Sequence, residues 1–304
     1  MILVISSKNS YAAKRLAEEG GENVVIMSVG DLVDVGFNVD PNKFDVLYIR
    51  DPYLNSSPEF LPKIIELAKS FKAAGKRVVD ANIAEGKIGL GKAFDYQHLE
   101  KATLPIPKTE FLSDHLFTNF YPLVLKWNYG FGSKNVFLIA NELELKEIVR
   151  IHPDKEWLVQ EYINAQWELE VYVIGFKAVP QILCYEIKNG FKANVKKYSI
   201  IKNQQGHPGY SQLLALAERT AQVLGRELCK IDILDSCGHF FILEGNRNPG
   251  LVSFETLIGY NIAREFIKYL SLTNQHMKVV LSEKPEIEVP QQPTVPNEPV
   301  SPQA

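Results

Sequence analysis

Over the first 90 residues short apolar runs alternate with amphipathic ones: ILVIS, YAAKRLAEEG, VVIMSV, FDVLYIRD, LPKIIELAKSFKAAG and KRVVDAN. This is the rhythm of a parallel sheet with helices on its faces. The first strand-to-helix turn, SSKNSYAAK, lacks the glycines that let a backbone approach a pyrophosphate, so the rhythm does not mark a dinucleotide site. This part of the chain is expected to frame a substrate. Ser6, Lys8, Asn9, Arg50, Asp51 and Tyr53 stand at strand ends, where open α/β sheets present ligand-binding groups and where the same residue types also cap helices.

The pattern then changes. GLGKAFDYQHLEKATLPIPKTEFL predicts a helix with Lys92 near its start and an end near Thr103, followed by an extended segment at Pro105 and Pro107. PLVLKWNYGFGSKNVFLI predicts two strands joined by a loop, with Lys126 at the end of the first strand and Gly130 and Gly132 in the loop. Such a loop folds over a polyphosphate or simply turns a hairpin. NELELKEIVR is an amphipathic helix and EWLVQEYI a strand; ELEVYVIGFKAVPQILCYEI predicts two antiparallel strands around Gly175 and Phe176. Four lysines, Lys188, Lys192, Lys196 and Lys197, follow in a stretch that reads as a solvated loop or as a phosphate contact. LLALAERTAQVLG predicts a helix closed by Gly225 and packed on the sheet, and FETLIGYNIAREFIKYLSL a last helical region.

The chain is organised around KIDILDSCGHFFILEGNRNPG, residues 230–250. Apolar runs on either side of DSCG predict a hairpin, with the turn centred on Ser236 and Cys237. Side chains alternate along a strand, so Glu244 and Asn246 share a face, and the turn can bring Asp232 onto it. A Glu among Phe and Leu needs a partner. Two carboxylates and an amide oxygen with open positions suit Mg²⁺ bound to a nucleotide; the alternative is the solvated face of an ordinary hairpin.

Composition narrows the classes. The 304 residues are 46% hydrophobic and 23% charged, enough for two or three subdomains with cores of their own. A formal net charge of −3 argues against bulk nucleic-acid binding. Cys184, Cys229 and Cys237 form no CxxC pair and no ligand spacing with His, so neither zinc nor a disulfide framework is indicated. The opening MILVISSKNS is too short for a signal core and no run reaches a membrane span, so a cytoplasmic protein is expected. From Lys284 the tail PEIEVPQQPTVPNEPVSPQA carries six prolines. It is expected to be disordered or partly polyproline II, to serve as a spacer or a weak ligand for a partner, and to be dispensable for chemistry.

From about Gly89 to Leu270 the order of these parts resembles the ATP-grasp ligases, in the branch of glutathione-synthetase-like and RimK-like glutamate ligases. The resemblance is carried most specifically by DIL and LEGNRNPGL, and it implies Asp232, Glu244 and Asn246 as metal ligands. It further implies Lys92 and Lys126 on phosphate, a loop of Gly130, Gly132 and Ser133 over it, and an adenine hinge at Gln160, Glu161, Tyr162 and Ile163. Glu168 matches the acidic position for the ribose hydroxyls, Asn194 and Lys196 match groups near the transferred phosphate, and Arg247 stands where it would stabilise an acyl phosphate or a tetrahedral intermediate. Two departures stand out. Glu168, Leu169 and Glu170 occupy what is Asp-x-Arg in many members, removing a cation expected near the substrate carboxylate, and GFGSKN has fewer glycines than usual.

The implied fold is α/β, α+β in the catalytic half: an ATP-grasp fold with an N-terminal Rossmann-like domain (1–88), a lobe with the glycine loop (89–163), a lobe with the metal hairpin (164–282) and a Pro-rich tail (283–304). The implied activity is ATP-dependent amide formation from a carboxylate and an amine through an acyl phosphate, with Mg²⁺ or Mn²⁺, in a chain compatible with a homo-oligomer. A kinase, or a nucleotide-binding module that has lost catalysis, are the alternatives.

Overall fold

Strands β1 (Ile2–Ile5), β2 (Val24–Met27), β3 (Val46–Ile49) and β4 (Arg77–Val78) form a parallel sheet in the order β2-β1-β3-β4. The computed structural model describes residues 1–50, 58–112, 121–130, 135–187, 193–202 and 204–272. β1 and β3 are buried along their whole length because both faces are covered. Leu3, Ile5, Leu47 and Ile49 pack with Ile64, Leu67, Ala68 and Phe71 of α3 (Leu61–Ala73) and with Leu32 of α2 (Val29–Asp34). Ile2, Val4, Val46 and Tyr48 face the other way, toward Leu16 of α1 (Tyr11–Gly20). The chain's last helices, α7 (Val252–Ile258) and α8 (Ile262–Leu270), return to this same face with Phe254, Ile262, Phe266 and Leu270.

Between these ends lie two antiparallel sheets. After α4 (Gly91–Lys101), strands β5 (Thr109–Phe111), β6 (Leu123–Trp127), β7 (Val136–Ile139) and β8 (Trp157–Glu161) pair in the order β5-β8-β6-β7, with α5 (Glu142–Ile151) between β7 and β8. Strands β9 (Trp167–Ile174), β10 (Lys177–Ile187), β11 (Ala193–Ile201), β12 (Leu228–Ser236) and β13 (His239–Asn246) pair in the order β11-β10-β9-β12-β13. The latter sheet alternates as its sequence does. Leu169, Val171, Val173, Cys229, Ile231 and Ile233 pack on α6 (Tyr210–Leu224), leaving Glu168, Glu170, Lys230 and Asp232 to the opposite face.

Two local expectations change. Residues 193–201 form β11 rather than a solvated loop, because the outer edge of β10 has backbone groups to satisfy and Ile201 is buried there opposite Ile182. The β12–β13 turn falls on Cys237 and Gly238, one residue later than expected. Both have positive φ, 53° and 87°, the geometry that matches the twist of a two-residue hairpin. Lys188, Lys192, Asp51, Tyr53 and the Pro-rich tail lie outside the described residues. Among the described residues no helix is long and apolar enough to cross a membrane.

Buried charge ties the first sheet to the hairpin. Arg77 Nη2 meets Glu227 Oε2 at 2.9 Å, and the Tyr269 hydroxyl donates to the same oxygen at 2.7 Å. Glu227 Oε1 accepts from the Asp80 amide, and the Glu227 amide donates to Asp80 Oδ1. Removing one partner of such a buried pair strands the other, so Arg77→Met should lower stability by about 3–5 kcal/mol in urea unfolding. A loss under about 1 kcal/mol would mean that Tyr269 and the backbone amide alone hold Glu227.

Candidate active site

A β-bulge sets the geometry of the acidic face. Asp232 pairs with Glu244, but Ile233 pairs with Ile242, leaving Leu243 as an extra residue on β13. Strict alternation would put Glu244 on the same face as Ile242, against α6. The extra residue turns it over, so that Glu244 joins Asp232 while Ile242 stays in the core. Gly245 then points inward, where a Cβ would lie 2.7 Å from Leu224 Cδ1 and force that side chain to shift. Asn246, opposite Lys230, returns to the acidic face and donates from Nδ2 to Asp232 Oδ2 at 2.7 Å.

Two lysines meet this face from the other sheet's side. Lys92 Nζ lies 2.8 Å from Glu244 Oε2. It stands in the first turn of α4, whose cap comes from another element: Asn128 accepts the Lys92 amide on its carbonyl and the Ala93 amide on Oδ1. Gly91, at φ 78°, passes so close to Asn128 that a Cβ would lie 2.6 Å from its side chain. Lys126, on β6, is buried rather than solvated and donates to the Tyr96 hydroxyl at 3.4 Å. Tyr96 in turn donates to the carbonyl of the bulged Leu243 at 2.6 Å. Asn128 and Tyr96 were not expected as site residues; both act by placing the lysines, a role no motif spacing announces.

Burial and the Lys92 charge push the Lys126 ammonium down to about 8, against the pull of Glu244, Glu168 and Asp232. Burial also opposes the charged forms of Lys92 and Glu244, yet their mutual attraction prevails: Lys92 is shifted up and Glu244 down. Asp232 is pushed up to about 8 by burial and by Glu170, Glu168 and Glu244, with Lys230 opposing. Its Oδ1 is buried and accepts no well-aligned hydrogen bond among the described residues, though the Lys230 ammonium lies 3.0 Å away. Hard oxygen donors on a stiff sheet, one of them under-satisfied, fit a Mg²⁺ held by two carboxylates, an amide oxygen and the phosphates of a nucleotide. Lys230, which holds Glu170 as well as Asp232, went unremarked in the sequence because its partners lie on other strands or across an intervening residue.

The remaining expected residues are dispersed around this centre. Gly130 closes a tight turn after β6, its amide donating to the Trp127 carbonyl at 2.9 Å; Gly132 and Ser133 lie outside the described residues. Gln160 is buried on β8, with Nε2 donating to Thr109 Oγ1 at 2.8 Å. Glu161 is exposed at the end of β8 and accepts the Lys108 amide, and Tyr162 and Ile163 begin the linker to β9. Glu168 stands on β9 opposite Leu234, close enough to act on Lys126 and Asp232. Asn194 and Lys196 fall on β11, and their side chains lie outside the described set. Arg247 is held by residues of the N-terminal part: Nη1 meets Asp80 Oδ2 at 2.9 Å and Nη2 reaches the Lys87 carbonyl at 3.2 Å. Of the strand-end group, Ser6 and Arg50 are buried, Arg50 Nη2 donating to the Pro249 carbonyl at 2.8 Å, while Lys8 pairs with Asp31.

Comparison with known proteins gives this arrangement its class. The solved structure of the ATP-grasp ligase PsnB, complexed with a phosphomimetic variant of its minimal precursor, Mg and ADP, superposes with a TM-score of 0.67. The match covers 88% of this chain and 97% of that one, at 15% identity, which shows the fold: ATP-grasp. The model of the RimK-like ATP-grasp domain matches residues 96–270. The chain therefore belongs to the RimK-like ATP-grasp family, and its class is that of the ATP-dependent carbon–nitrogen ligases. A probable alpha-L-glutamate ligase of Rhodopirellula baltica is 23% identical over 289 residues, 89% of this chain and 70% of that protein. One of Alkalilimnicola ehrlichii is 22% identical, over 89% of this chain and 95% of its own length.

If Lys126 contacts phosphate, ADP binding must charge it. In the presence of chelator, ADP affinity should fall as pH rises from about 7 to 9, with proton uptake seen by calorimetry in buffers of different ionisation enthalpy. Lys126→Met should abolish that uptake; an unchanged uptake would remove Lys126 from the phosphate contact.

Proposed function

We propose that this chain uses Mg²⁺ and ATP to join a glutamate-like amino acid to the carboxylate of a small molecule, peptide or protein terminus. The observation that carries this reading is the bulge-dependent meeting of Asp232, Glu244 and Asn246 opposite Lys92 and Lys126. The relatives' name, alpha-L-glutamate ligase, supports the choice of amino acid.

ATP, with its metal, supplies the γ-phosphoryl group that converts the substrate carboxylate into an acyl phosphate, from which an amine displaces phosphate to leave an amide. Such a reaction asks the protein mainly for positioning and charge neutralisation. Asp232, Glu244 and Asn246 would hold the metal, and Lys92 and Lys126 the phosphates beneath the loop of Gly130, Gly132 and Ser133. The end of β8 and the linker after it, Gln160, Glu161, Tyr162 and Ile163, would take the adenine, and Glu168 the ribose hydroxyls. Asn194 and Lys196 are assigned to the neighbourhood of the transferred phosphate. Arg247, anchored by Asp80, would sit beside the acyl group. In this reading residues 1–88 frame the substrate, 89–163 and 164–282 enclose the nucleotide, and the tail 283–304 serves as spacer or partner ligand outside the chemistry.

ADP release with Mg·ATP, screened against pooled amino acids and peptides with mass spectrometry of the products, tests the reading. A product equal to two substrates less water is expected; phosphate retained on one substrate would instead make the chain a kinase. Glu244→Gln should cut metal-dependent turnover by at least about a hundredfold in a chain that remains folded, with a lower thermal midpoint because Lys92 loses its partner. Surviving activity would overturn the metal assignment.

A further inference from the structure

One cation on the acidic face has no part in the nucleotide assignment. Lys230 stands two residues before Asp232 on β12 and so shares its face. Its ammonium hydrogen-bonds Glu170 on β9 and lies 3.0 Å from Asp232 Oδ1. The contact remains open to solvent, with 16% of the Lys230 side chain and 14% of the Glu170 side chain accessible.

Position distinguishes Lys230 from the other two lysines. Lys126 lies in the field of Lys92, Glu244, Glu168 and Asp232. Lys230 is set among Asp232, Glu170 and Tyr172, and it pairs with Tyr172 across the β9–β12 ladder. Glu168 and Glu170 are two residues apart on β9, about 6.6 Å along the strand. The three lysines therefore flank the metal donors from two sides. Lys230 occupies the side toward Tyr172, whose hydroxyl donates to the Gly250 carbonyl in the loop that meets the first sheet.

In-line phosphoryl transfer requires the acceptor oxygen to approach opposite the leaving ADP oxygen. A carboxylate arriving there meets Glu170, Asp232 and Glu244, a field that repels it unless a cation lies on its own side. Lys92, which meets Glu244, and Lys126 are assigned above to the phosphates, and Arg247, which meets Asp80, to the acyl phosphate once formed. Among the described side chains on this face, Lys230 is the cation that remains.

We propose that Lys230 binds the carboxylate that receives the phosphoryl group, and that Glu170 is the positioning residue that keeps its ammonium beside the metal donors. The ligand class is a small or terminal carboxylate. This assignment rests on the ligase reading above.

The test is calorimetric and uses the full chain. Mg·ADP is titrated first. Acetate, succinate, citrate and N-acetyl amino acids are then titrated singly into the Mg·ADP complex of the wild type, Lys230→Met and Lys230→Arg. The wild type is expected to bind at least one carboxylate, Lys230→Met to bind it at least about tenfold more weakly, and Lys230→Arg to retain it within about threefold. Because Lys230 also neighbours Asp232, Mg·ADP affinity is measured for each variant and every carboxylate is titrated at saturating Mg·ADP. Carboxylate affinity unchanged in Lys230→Met overturns the proposal. So does a wild type that binds Mg·ADP but no carboxylate. A wild type that binds no Mg·ADP fails at the ligase reading itself and takes the proposal with it.

Discussion

A single extra residue, Leu243, holds the chemistry of this protein in place. Without the bulge, Glu244 would point into the apolar layer between the sheet and α6, an unpaired carboxylate among Ile242, Phe240 and Leu224. With it, two carboxylates and an amide meet on one face, and the bulged carbonyl becomes the acceptor for Tyr96. The same displacement carries Gly245 into the core and Asn246 out of it. Three consecutive positions thus depend on one irregularity in a ladder that is otherwise regular between Asp235 and Lys230.

The lysines depend on that face in turn. Carboxylates near Lys126 offset part of the cost of burying its ammonium, and Lys230 offsets part of the repulsion that Glu170, Glu168 and Glu244 exert on Asp232. Lys92 on Glu244 and Lys230 on Asp232 give each of these two carboxylates its own cation. The scaffold that aims these groups lies in other elements: Asn128 caps α4 from beyond β6, and Glu227, Asp80 and Arg77 lock the hairpin's first strand to the parallel sheet. The hairpin is therefore held at its open end by a charge network and farther along β13 by α4.

Membership of the RimK-like ATP-grasp family accounts for the fold and for the handling of a nucleotide, but it does not account for Glu170 and Lys230. A β9 position that carries an anion here is matched by a cation one strand away, so the face keeps a positive group near the place where one was expected. The sequence departure at Glu170 reads, in three dimensions, as a transfer of charge between neighbouring strands.

Much of this was legible along the chain, because alternation and helical periodicity are local properties. The parallel rhythm of the first 90 residues, the β12–β13 hairpin and the α6 helix all follow from residue order and side-chain period. What residue order could not supply was which face each donor takes. Period-two alternation assigns Glu244 to the side of Ile242, and only the register with Asp232, fixed by packing of Ile233 and Ile242 on α6, forces the extra residue that reverses it. The burial of Lys126, the turning of Arg247 to Asp80 and the partnership of Lys230 with Glu170 have the same origin. Each is a contact between distant segments, decided by the free energy of burying charge in a particular place, and no local pattern encodes that place.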